Sequence, residues 1–290
     1  MSLPPQVGPD RYAVLGNPVA HSRSPFIHAA FARQTGQAME YGRVLCPLDG
    51  FAGAVREFAT GGHGGRARGC NVTVPFKFEA LRLAARCSER AALAGAANTL
   101  RFDTEGWWAD NTDGVGLVRD IEVHAGLPLA GRRVLLVGAG GAGAGLLGPL
   151  LAARPAEVVV ANRTAQKAQA LVDRHAAVAQ AQGVRLAASG LDSPGTAFDM
   201  VLNASASSLQ GQASPVPASV LAPGALAVDL MYGAAAEPFL AWARSAGACA
   251  RDGLGMLVEQ AAESFFVWRG VRPLTAPVLQ ALRASLAAAP

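Results

Sequence analysis

The segment that most limits how this chain can fold lies near its middle. An apolar run, Val134–Val137, is followed at once by Gly138-x-Gly140-x-x-Gly143 and then by an apolar helical stretch reaching about Ala153. Glycines at that spacing between a strand and a helix have separate uses. The first permits a tight turn, the second lets the backbone approach a pyrophosphate, and the third lets helix and strand pack closely. The helix start then presents unpaired N–H groups and a positive dipole end to phosphate. The plainer alternative is a glycine-rich turn in a chain that has 33 glycines. The position directly between strand and helix favours a dinucleotide-binding turn.

The alternation continues from there. Val158–Ala161 reads as the next strand, Ala165–Gln180 as a helix, and Met200–Asn203 and Ala225–Asp229 as later strands. Ser205 to Pro223, rich in Ser, Pro and Gly, is expected as a surface loop. An NAD site usually carries Asp or Glu at the end of its second strand, for the ribose hydroxyls. Here that position is Asn162-Arg163-Thr164, with Lys167 one turn on. Two cations and a hydroxyl without a carboxylate suit a 2′-phosphate, so NADP is expected rather than NAD. The alternative is a helix start capped by Thr164 with solvated basic neighbours.

The first half alternates as well. Tyr12–Gly16, Val44–Leu45, Asn71–Val74, Ala97–Arg101 and Trp107–Ala109 read as strands. Pro25–Arg33, Phe51–Ala59, Phe78–Ala85 and Glu89–Leu93 read as helices, with Ser24 placed to cap the first and Pro25 at its first position. Gly61–Gly65 is a glycine-rich break, and two helices, about Met256–Arg269 and Ala276–Ala288, close the chain. Strand–helix alternation favours a mainly parallel sheet. With 290 residues, 51% of them hydrophobic, there is enough core for one large domain or two modest ones.

Composition excludes several function classes. The net charge of +4 is spread along the sequence, and no Lys/Arg-rich run marks a nucleic-acid or membrane surface. No apolar run approaches the roughly 20 residues of a membrane span. Met1 to Asp10 is Pro-rich without an apolar stretch, so no signal peptide is expected. Cys46, Cys70, Cys87 and Cys249 lie far apart with no CxxC pair, which predicts free buried thiols in a reducing cytosol. His21, His28, His63, His124 and His175 show no metal-ligand spacing, so no metal is expected.

Lysine is rare: Lys77 and Lys167 stand against 23 arginines. Where guanidinium serves as the general cation, an ammonium points to work that guanidinium cannot do, because lysine can give up its proton and arginine effectively cannot. Lys77 ends the alternation Asn71-Val72-Thr73-Val74-Pro75-Phe76-Lys77 and is the candidate proton-transfer residue. The alternative is a solvated surface lysine. Asp113, in Asp110-Asn111-Thr112-Asp113-Gly114, precedes an apolar helix and reads by default as its cap. Ser22 and Ser24 read either as caps or as a pair of hydroxyls able to hold a carboxylate. Asn71, Thr73 and Asn98 are polar residues among apolar ones and need partners if buried, which a polyhydroxylated ligand would supply.

Together these segments resemble the shikimate dehydrogenase family. The resemblance is carried by Tyr12-Ala13-Val14-Leu15-Gly16-Asn17-Pro18, His21-Ser22-Arg23-Ser24-Pro25-Phe26-Ile27-His28, the Asn71–Lys77 run, Gly95-Ala96-Ala97-Asn98-Thr99, Asp110–Gly114, Gly138–Ala142, Asn162–Thr164 and Asp252–Ala261. It implies an α/β protein of two α/β domains, an N-terminal substrate domain with a mainly parallel sheet and a Rossmann-type dinucleotide-binding domain. The substrate domain would comprise residues 1–112 plus 253–290, and the NADP domain 113–252. It further implies Lys77 paired with Asp113 for proton transfer, and Ser22 and Ser24 on the substrate carboxylate. Asn71, Thr73, Asn98, Asp113, Tyr232 and Gln260 would meet the ring hydroxyls or line the pocket. Gly138, Ala139, Gly140, Gly141 and Ala142 would bind the pyrophosphate, and Asn162, Arg163, Thr164 and Lys167 would surround the 2′-phosphate. Leu230, Gly253 and Met256 would sit near the nicotinamide, with Glu89 near the cofactor.

The implied reaction is reversible NADPH-dependent reduction of 3-dehydroshikimate to shikimate, in aromatic amino-acid biosynthesis, by a cytoplasmic monomer or homodimer acting on a small molecule, with no nucleic acid, membrane or metal partner. Some positions depart from the family pattern. Asn203-Ala204-Ser205-Ala206-Ser207-Ser208-Leu209 lacks the glycine usual in that loop, Arg23 stands where Lys is common, and Gly233–Pro238 lacks the usual polar residues. The rival readings are an NAD-dependent quinate/shikimate dehydrogenase, disfavoured by Arg163 and Ser24, a methylenetetrahydrofolate-type dehydrogenase, disfavoured by the paired serines and the Asn71–Lys77 run, and a non-catalytic ligand sensor, which would need no Lys–Asp pair.

Overall fold

Two six-stranded sheets organise the chain in a computed structural model that describes residues 8–61, 67–205, 207 and 214–288. The first sheet holds β1 (Asp10–Gly16), β2 (Met39–Leu45), β3 (Ala67–Val72), β4 (Arg86–Cys87), β5 (Thr99–Arg101) and β6 (Trp108–Asp110), in the order β2-β1-β3-β5-β6-β4. β1 runs parallel to β2 and β3, and β4 runs parallel to β6, while β5 is antiparallel to both its neighbours. Helices α1 (Ser24–Thr35), α2 (Phe51–Thr60), α3 (Lys77–Leu83) and α4 (Glu89–Ala94) connect these strands. Phe51, Phe58, Phe76 and Phe102 fill the core against this sheet.

A short helix, α5 (Asp113–Arg119), prolonged by a π-helical turn at Asp120–His124, leads to the second sheet. That sheet is parallel throughout. It holds β7 (Arg133–Val137), β8 (Glu157–Ala161), β9 (Arg185–Ser189), β10 (Phe198–Asn203), β11 (Leu221–Asp229) and β12 (Cys249–Arg251), in the order β12-β11-β10-β7-β8-β9. The strand order reverses between β7 and β10, which is the topological switch point where open α/β sheets bind ligands. Helices α6 (Gly141–Ala152), α7 (Ala165–Gln182) and α8 (Glu237–Ser245) cover it. Val134 and Leu136 enter one core and Leu135 and Val137 the other, which explains the uninterrupted apolar run of β7. The closing helices α9 (Leu254–Arg269) and α10 (Ala276–Ala287) return to the first half, where Ile27 and Phe31 of α1 pack with Val258, Phe265 and Leu279.

Several boundaries differ from the sequence expectation. β3 starts at Ala67 and ends at Val72, not Asn71–Val74. Its early half is hidden by Gly69, where an added Cβ would lie 2.6 Å from Nε1 of Trp268. It ends early because Thr73–Phe76 forms a turn and Pro75 has no N–H for a ladder. Ser24 does not cap α1; it is the first helical residue, and its N–H donates to Ser22 Oγ at 3.3 Å. Thr164 precedes α7 without a side-chain cap bond. Cys46 and Cys70 are buried as expected, but Cys87 and Cys249 are exposed. The Gly61–Gly65 break falls mostly outside the described residues, as do His63, Ala206, Ser208 and Leu209. Among the described residues no helix is long and apolar enough to cross a membrane, and no cluster of three His, Cys, Asp or Glu could hold a metal.

Candidate active site

The turn after β3 delivers Lys77 to the first position of α3, and the Asn111–Thr112 turn delivers Asp113 to the first position of α5. Lys77 Nζ donates to Asp113 Oδ2 at 2.5 Å, with the carboxylate side chain 6% exposed and the lysine 14%. The other oxygen, Oδ1, accepts from Asn98 Nδ2 at 2.8 Å. Asp113 is therefore an ion-pair partner and not a cap, which corrects the default reading of an isolated aspartate.

The amides around this pair are oriented by groups that can play one role only. Thr112 N–H donates to Asn98 Oδ1 at 2.8 Å, so the nitrogen of Asn98 must face Asp113. That nitrogen also donates to Gln260 Oε1 at 3.1 Å, and Gln260 Nε2 donates to the Leu257 carbonyl at 2.8 Å. Asn71 Nδ2 donates to the Asn98 carbonyl at 3.1 Å and to Ser264 Oγ at 3.0 Å. Its oxygen must then accept, which makes Tyr41 the donor at 2.7 Å. Asn71 in β3, Asn98 just before β5, Asp113 in α5 and Gln260 in α9 thus form one network. Thr73 stands beside it, half-buried, its N–H donating to the Leu15 carbonyl at 2.9 Å.

Ser22, in the turn before α1, and Ser24, at the start of that helix, lie together, Ser22 Oγ donating to Ser24 Oγ at 3.2 Å. Tyr232 is brought to the same turn. Burial pushes its phenol above the usual range, opposed by the backbone of Arg23 and the charges of Arg23 and Arg43.

The glycine turn has the geometry its spacing requires. Gly138 adopts φ of 111°, a conformation that disfavours side chains, and a Cβ at Gly143 would lie 2.0 Å from the Gly138 carbonyl. Gly140, by contrast, faces open space, with nothing within 4 Å of an added Cβ. No acidic residue occupies the first turn of α6, so the N-terminal N–H groups there suit an anion. Asn162 Oδ1 accepts from Ala139 N–H at 3.2 Å and its Nδ2 donates to the Thr164 carbonyl at 2.9 Å, tying the glycine turn to the end of β8. Arg163, Thr164 and Lys167 are exposed around that end. Gly141 adjoins Lys77, an added Cβ there lying 3.5 Å from Lys77 Cβ, and Ala142 follows in α6. The glycine turn and the Lys–Asp pair are therefore neighbours.

At the ends of β10 and β11, Asn203 Nδ2 donates to Asp229 Oδ2 at 3.1 Å, and the Leu230 N–H donates to the Asn203 carbonyl at 3.1 Å. Gly253 packs on Leu230, where a Cβ would lie 2.2 Å from its carbonyl oxygen, and Met256 is buried in the core of the second sheet. Glu89 is the first residue of α4. It lines a cavity of about 640 Å³ with Arg90, Arg101 and Trp108. It also lines one of about 830 Å³ with Leu93, Val118, Pro149 and Val178. It follows Ser88, whose Oγ caps α4 by accepting from Ala91 N–H.

Tyr41, Ser264, Thr112 and Asp229 belong to these networks, and the sequence patterns alone do not single them out. Ser264 stands one helical turn after Gln260, a spacing that places two polar side chains on one otherwise apolar face and could have flagged it.

Three family models match in chain order: the shikimate dehydrogenase substrate binding domain over residues 14–100, shikimate / quinate 5-dehydrogenase over 122–210, and the shikimate 5′-dehydrogenase C-terminal domain over 253–283. A shikimate dehydrogenase (NADP(+)) of Methylibium petroleiphilum is 65% identical over 277 residues, covering 95% of this chain and 94% of that one. The chain belongs to the shikimate dehydrogenase family. As a member of that family it is an oxidoreductase. A shikimate dehydrogenase (NADP(+)) of an Acidovorax species is 63% identical, covering 96% of this chain and 98% of its own length. Among solved structures, an Ael1 enzyme from Pseudomonas putida superposes with a TM-score of 0.84 at 48% identity, covering 94% of this chain and 98% of that one. The Thermus thermophilus shikimate 5-dehydrogenase in complex with NADP(H) and shikimate superposes with a TM-score of 0.80 at 32% identity, covering 95% and 99%. The two-sheet α/β architecture is that of the shikimate dehydrogenase family, its second sheet the Rossmann-type one.

Proposed function

We propose that this chain catalyses the reversible NADPH-dependent reduction of 3-dehydroshikimate to shikimate. The observation that carries the reading is the Lys77–Asp113 pair, closed at 2.5 Å, held by Asn98 and lying beside the glycine turn at Gly141. NADP fits the residues present: an open backbone at Gly140, an acid-free helix start, and Arg163, Thr164 and Lys167 where an NAD site would carry a carboxylate. When bound, the nicotinamide supplies or accepts the hydride.

Lys77 handles the proton. As the ring ketone becomes an alcohol its oxygen gains negative charge, and the Lys77 ammonium donates to it; in the reverse direction the amine takes the hydroxyl proton back. Asp113 holds the ammonium in place and Asn98 holds Asp113. Ser22 and Ser24 take the carboxylate, and Asn71, Thr73, Asn98, Tyr232 and Gln260 meet or frame the ring hydroxyls. The substrate domain is residues 1–112 plus 253–290 and the NADP domain 113–252. The distribution of strands between the sheets and the packing of α9 and α10 on α1 support this division. The place of work is the cytoplasm, in aromatic amino-acid biosynthesis.

The test is absorbance at the NADPH band with purified protein, crossing shikimate and quinate with NADP and NAD. Rapid reduction with shikimate plus NADP alone is expected. Equal rates with quinate or NAD would overturn the specificity assigned to Ser24 and Arg163, and binding of shikimate without turnover would make the protein a sensor.

A further inference from the structure

The end of the site assigned to the substrate carboxylate is built from two hydroxyls, which are neutral. Neutral donors alone leave a carboxylate poorly compensated once water is displaced, so a cation is needed nearby. β2, an edge strand of the first sheet, supplies one. Arg43 donates to the Ser22 carbonyl oxygen from both Nε, at 3.1 Å, and Nη2, at 2.6 Å. The Ser22 N–H is held independently by the Val19 carbonyl at 3.1 Å. Both peptide groups flanking the Ser22 side chain are therefore held, and from that backbone its hydroxyl meets Ser24, accepting from Ser24 N–H and donating to Ser24 Oγ.

The same face of β2 reaches the other end of the site. Tyr41 lies two residues before Arg43, so both side chains leave the strand on one side. Tyr41 donates to Asn71 Oδ1 at 2.7 Å. One short strand thus holds the serine turn through Arg43 and the hydroxyl-facing amides through Tyr41.

We propose that Arg43 is a positioning residue for the substrate carboxylate: its two-pronged hold on the Ser22 carbonyl sets the Ser22–Ser24 hydroxyl pair, and its guanidinium supplies the positive field which those hydroxyls lack. The inference rests on the reading of Ser22 and Ser24 as carboxylate binders. It assigns specificity for anionic ring substrates to a strand that carries none of the residues expected from sequence.

Arg43→Met keeps the stem and removes both prongs and charge; Arg43→Lys keeps the charge but cannot bond one carbonyl in a planar fork. Each is compared with the unaltered protein for shikimate oxidation with NADP. For Arg43→Met the shikimate KM is expected to rise about tenfold, with kcat within about threefold and the NADP KM unchanged, as for loss of one charge-assisted contact. Arg43→Lys is expected to recover the salt dependence of kcat/KM but to leave the shikimate KM at least about threefold raised. A shikimate KM within about twofold of the unaltered value in Arg43→Met would overturn the proposal while leaving the functional reading standing. Full recovery in Arg43→Lys would overturn the positioning role in favour of charge alone. A parallel loss in shikimate KM, NADP KM and melting temperature would make Arg43 merely structural and overturn it too. Absence of shikimate oxidation by the unaltered protein would instead sink the functional reading, and this proposal with it.

Discussion

Replacing Asp113 by Asn tests the site at its most determined point. The carboxylate accepts on both oxygens, from Lys77 at one and Asn98 at the other. An asparagine amide offers one accepting end and one donating end. With its oxygen toward Lys77, its NH2 faces the NH2 of Asn98; turned over, it faces the Lys77 ammonium. Asn98 cannot turn to relieve the conflict, because its oxygen is already held by the Thr112 N–H. The substitution therefore loses one charge-assisted bond, worth about 1.5–3 kcal/mol, and leaves a buried donor facing a donor, which costs about 1–3 kcal/mol. A total of roughly 3 kcal/mol corresponds to a factor of about 100. Asp113→Asn is thus expected to lower kcat/KM for shikimate at least about 100-fold. It should also destabilise the protein at least as much as Asp113→Ala, which removes the acceptor without adding a misplaced donor. The assays are NADP reduction followed at the NADPH absorbance band and denaturant unfolding of both variants. A kcat/KM within about fivefold of the unaltered protein would refute the assignment. An Asn variant more stable than the Ala variant by over about 1 kcal/mol would refute the donor–acceptor reasoning.

Other positions give sharper contrasts between stability and binding. Gly140→Ala should leave the melting temperature unchanged, because an added Cβ meets nothing within 4 Å, and should raise the NADP KM at least about tenfold. Gly143→Ala should unfold at lower denaturant, since its Cβ would lie 2.0 Å from the Gly138 carbonyl; equal behaviour of the two variants in a paired titration would contradict this. Arg163→Ser should narrow the NADP-over-NAD preference in kcat/KM by about tenfold, and an unaltered preference would remove Arg163 from the 2′-phosphate site. His28 is fully buried, stacked on Tyr41 at 4.2 Å, and neither ring nitrogen has a hydrogen-bond partner among the described residues. Burial lowers its pKa to about 3 from 6.5, outweighing the nearby Asn71 side chain. The unfolded chain takes up this proton below pH 6.5 and the folded one does not, so the contribution is complete above 6.5 and is lost toward about 3. About 2 kcal/mol should go between pH 7 and 5, checked by urea unfolding at both values; a His28→Phe variant with the same pH slope would refute it.

Features set by neighbours along the chain are legible in the sequence. The glycine turn and the strand leading into it follow from local spacing, and the exposed cations Arg163 and Lys167 stand just after β8. Lys77 stands out because the chain uses arginine for nearly every ordinary positive charge. Contacts between distant segments are not legible in this way. Ser264 meets Asn71, and Trp268 packs over Gly69, and no periodicity in either segment encodes its partner. β4, β9 and β12 are short strands at the edges of their sheets, half-exposed or more, so their apolar alternation is too weak to read.

The glycine and alanine content is intelligible from the joint between the two sheets. Asp113 begins α5, and that helix meets α6 and α9 closely at glycines. A Cβ at Gly114 would lie 2.4 Å from the Gly145 carbonyl, and one at Gly116 would lie 2.6 Å from the Gln260 N–H nitrogen. At Gly145 it would lie 2.5 Å from Asn111 Oδ1. α6 starts at the glycine turn, and α9 carries Gln260 and Ser264. One short helix is therefore the reference for the Lys77–Asp113 pair, the glycine turn and the amide network together. Any side chain at these contacts would move one of the three relative to the others by about an ångström, a displacement able to cost about a hundredfold in rate. The precision of the site depends on residues that have no side chain to offer, and it is lost where the backbone contact between helices is lost, however intact Lys77 and Asp113 remain.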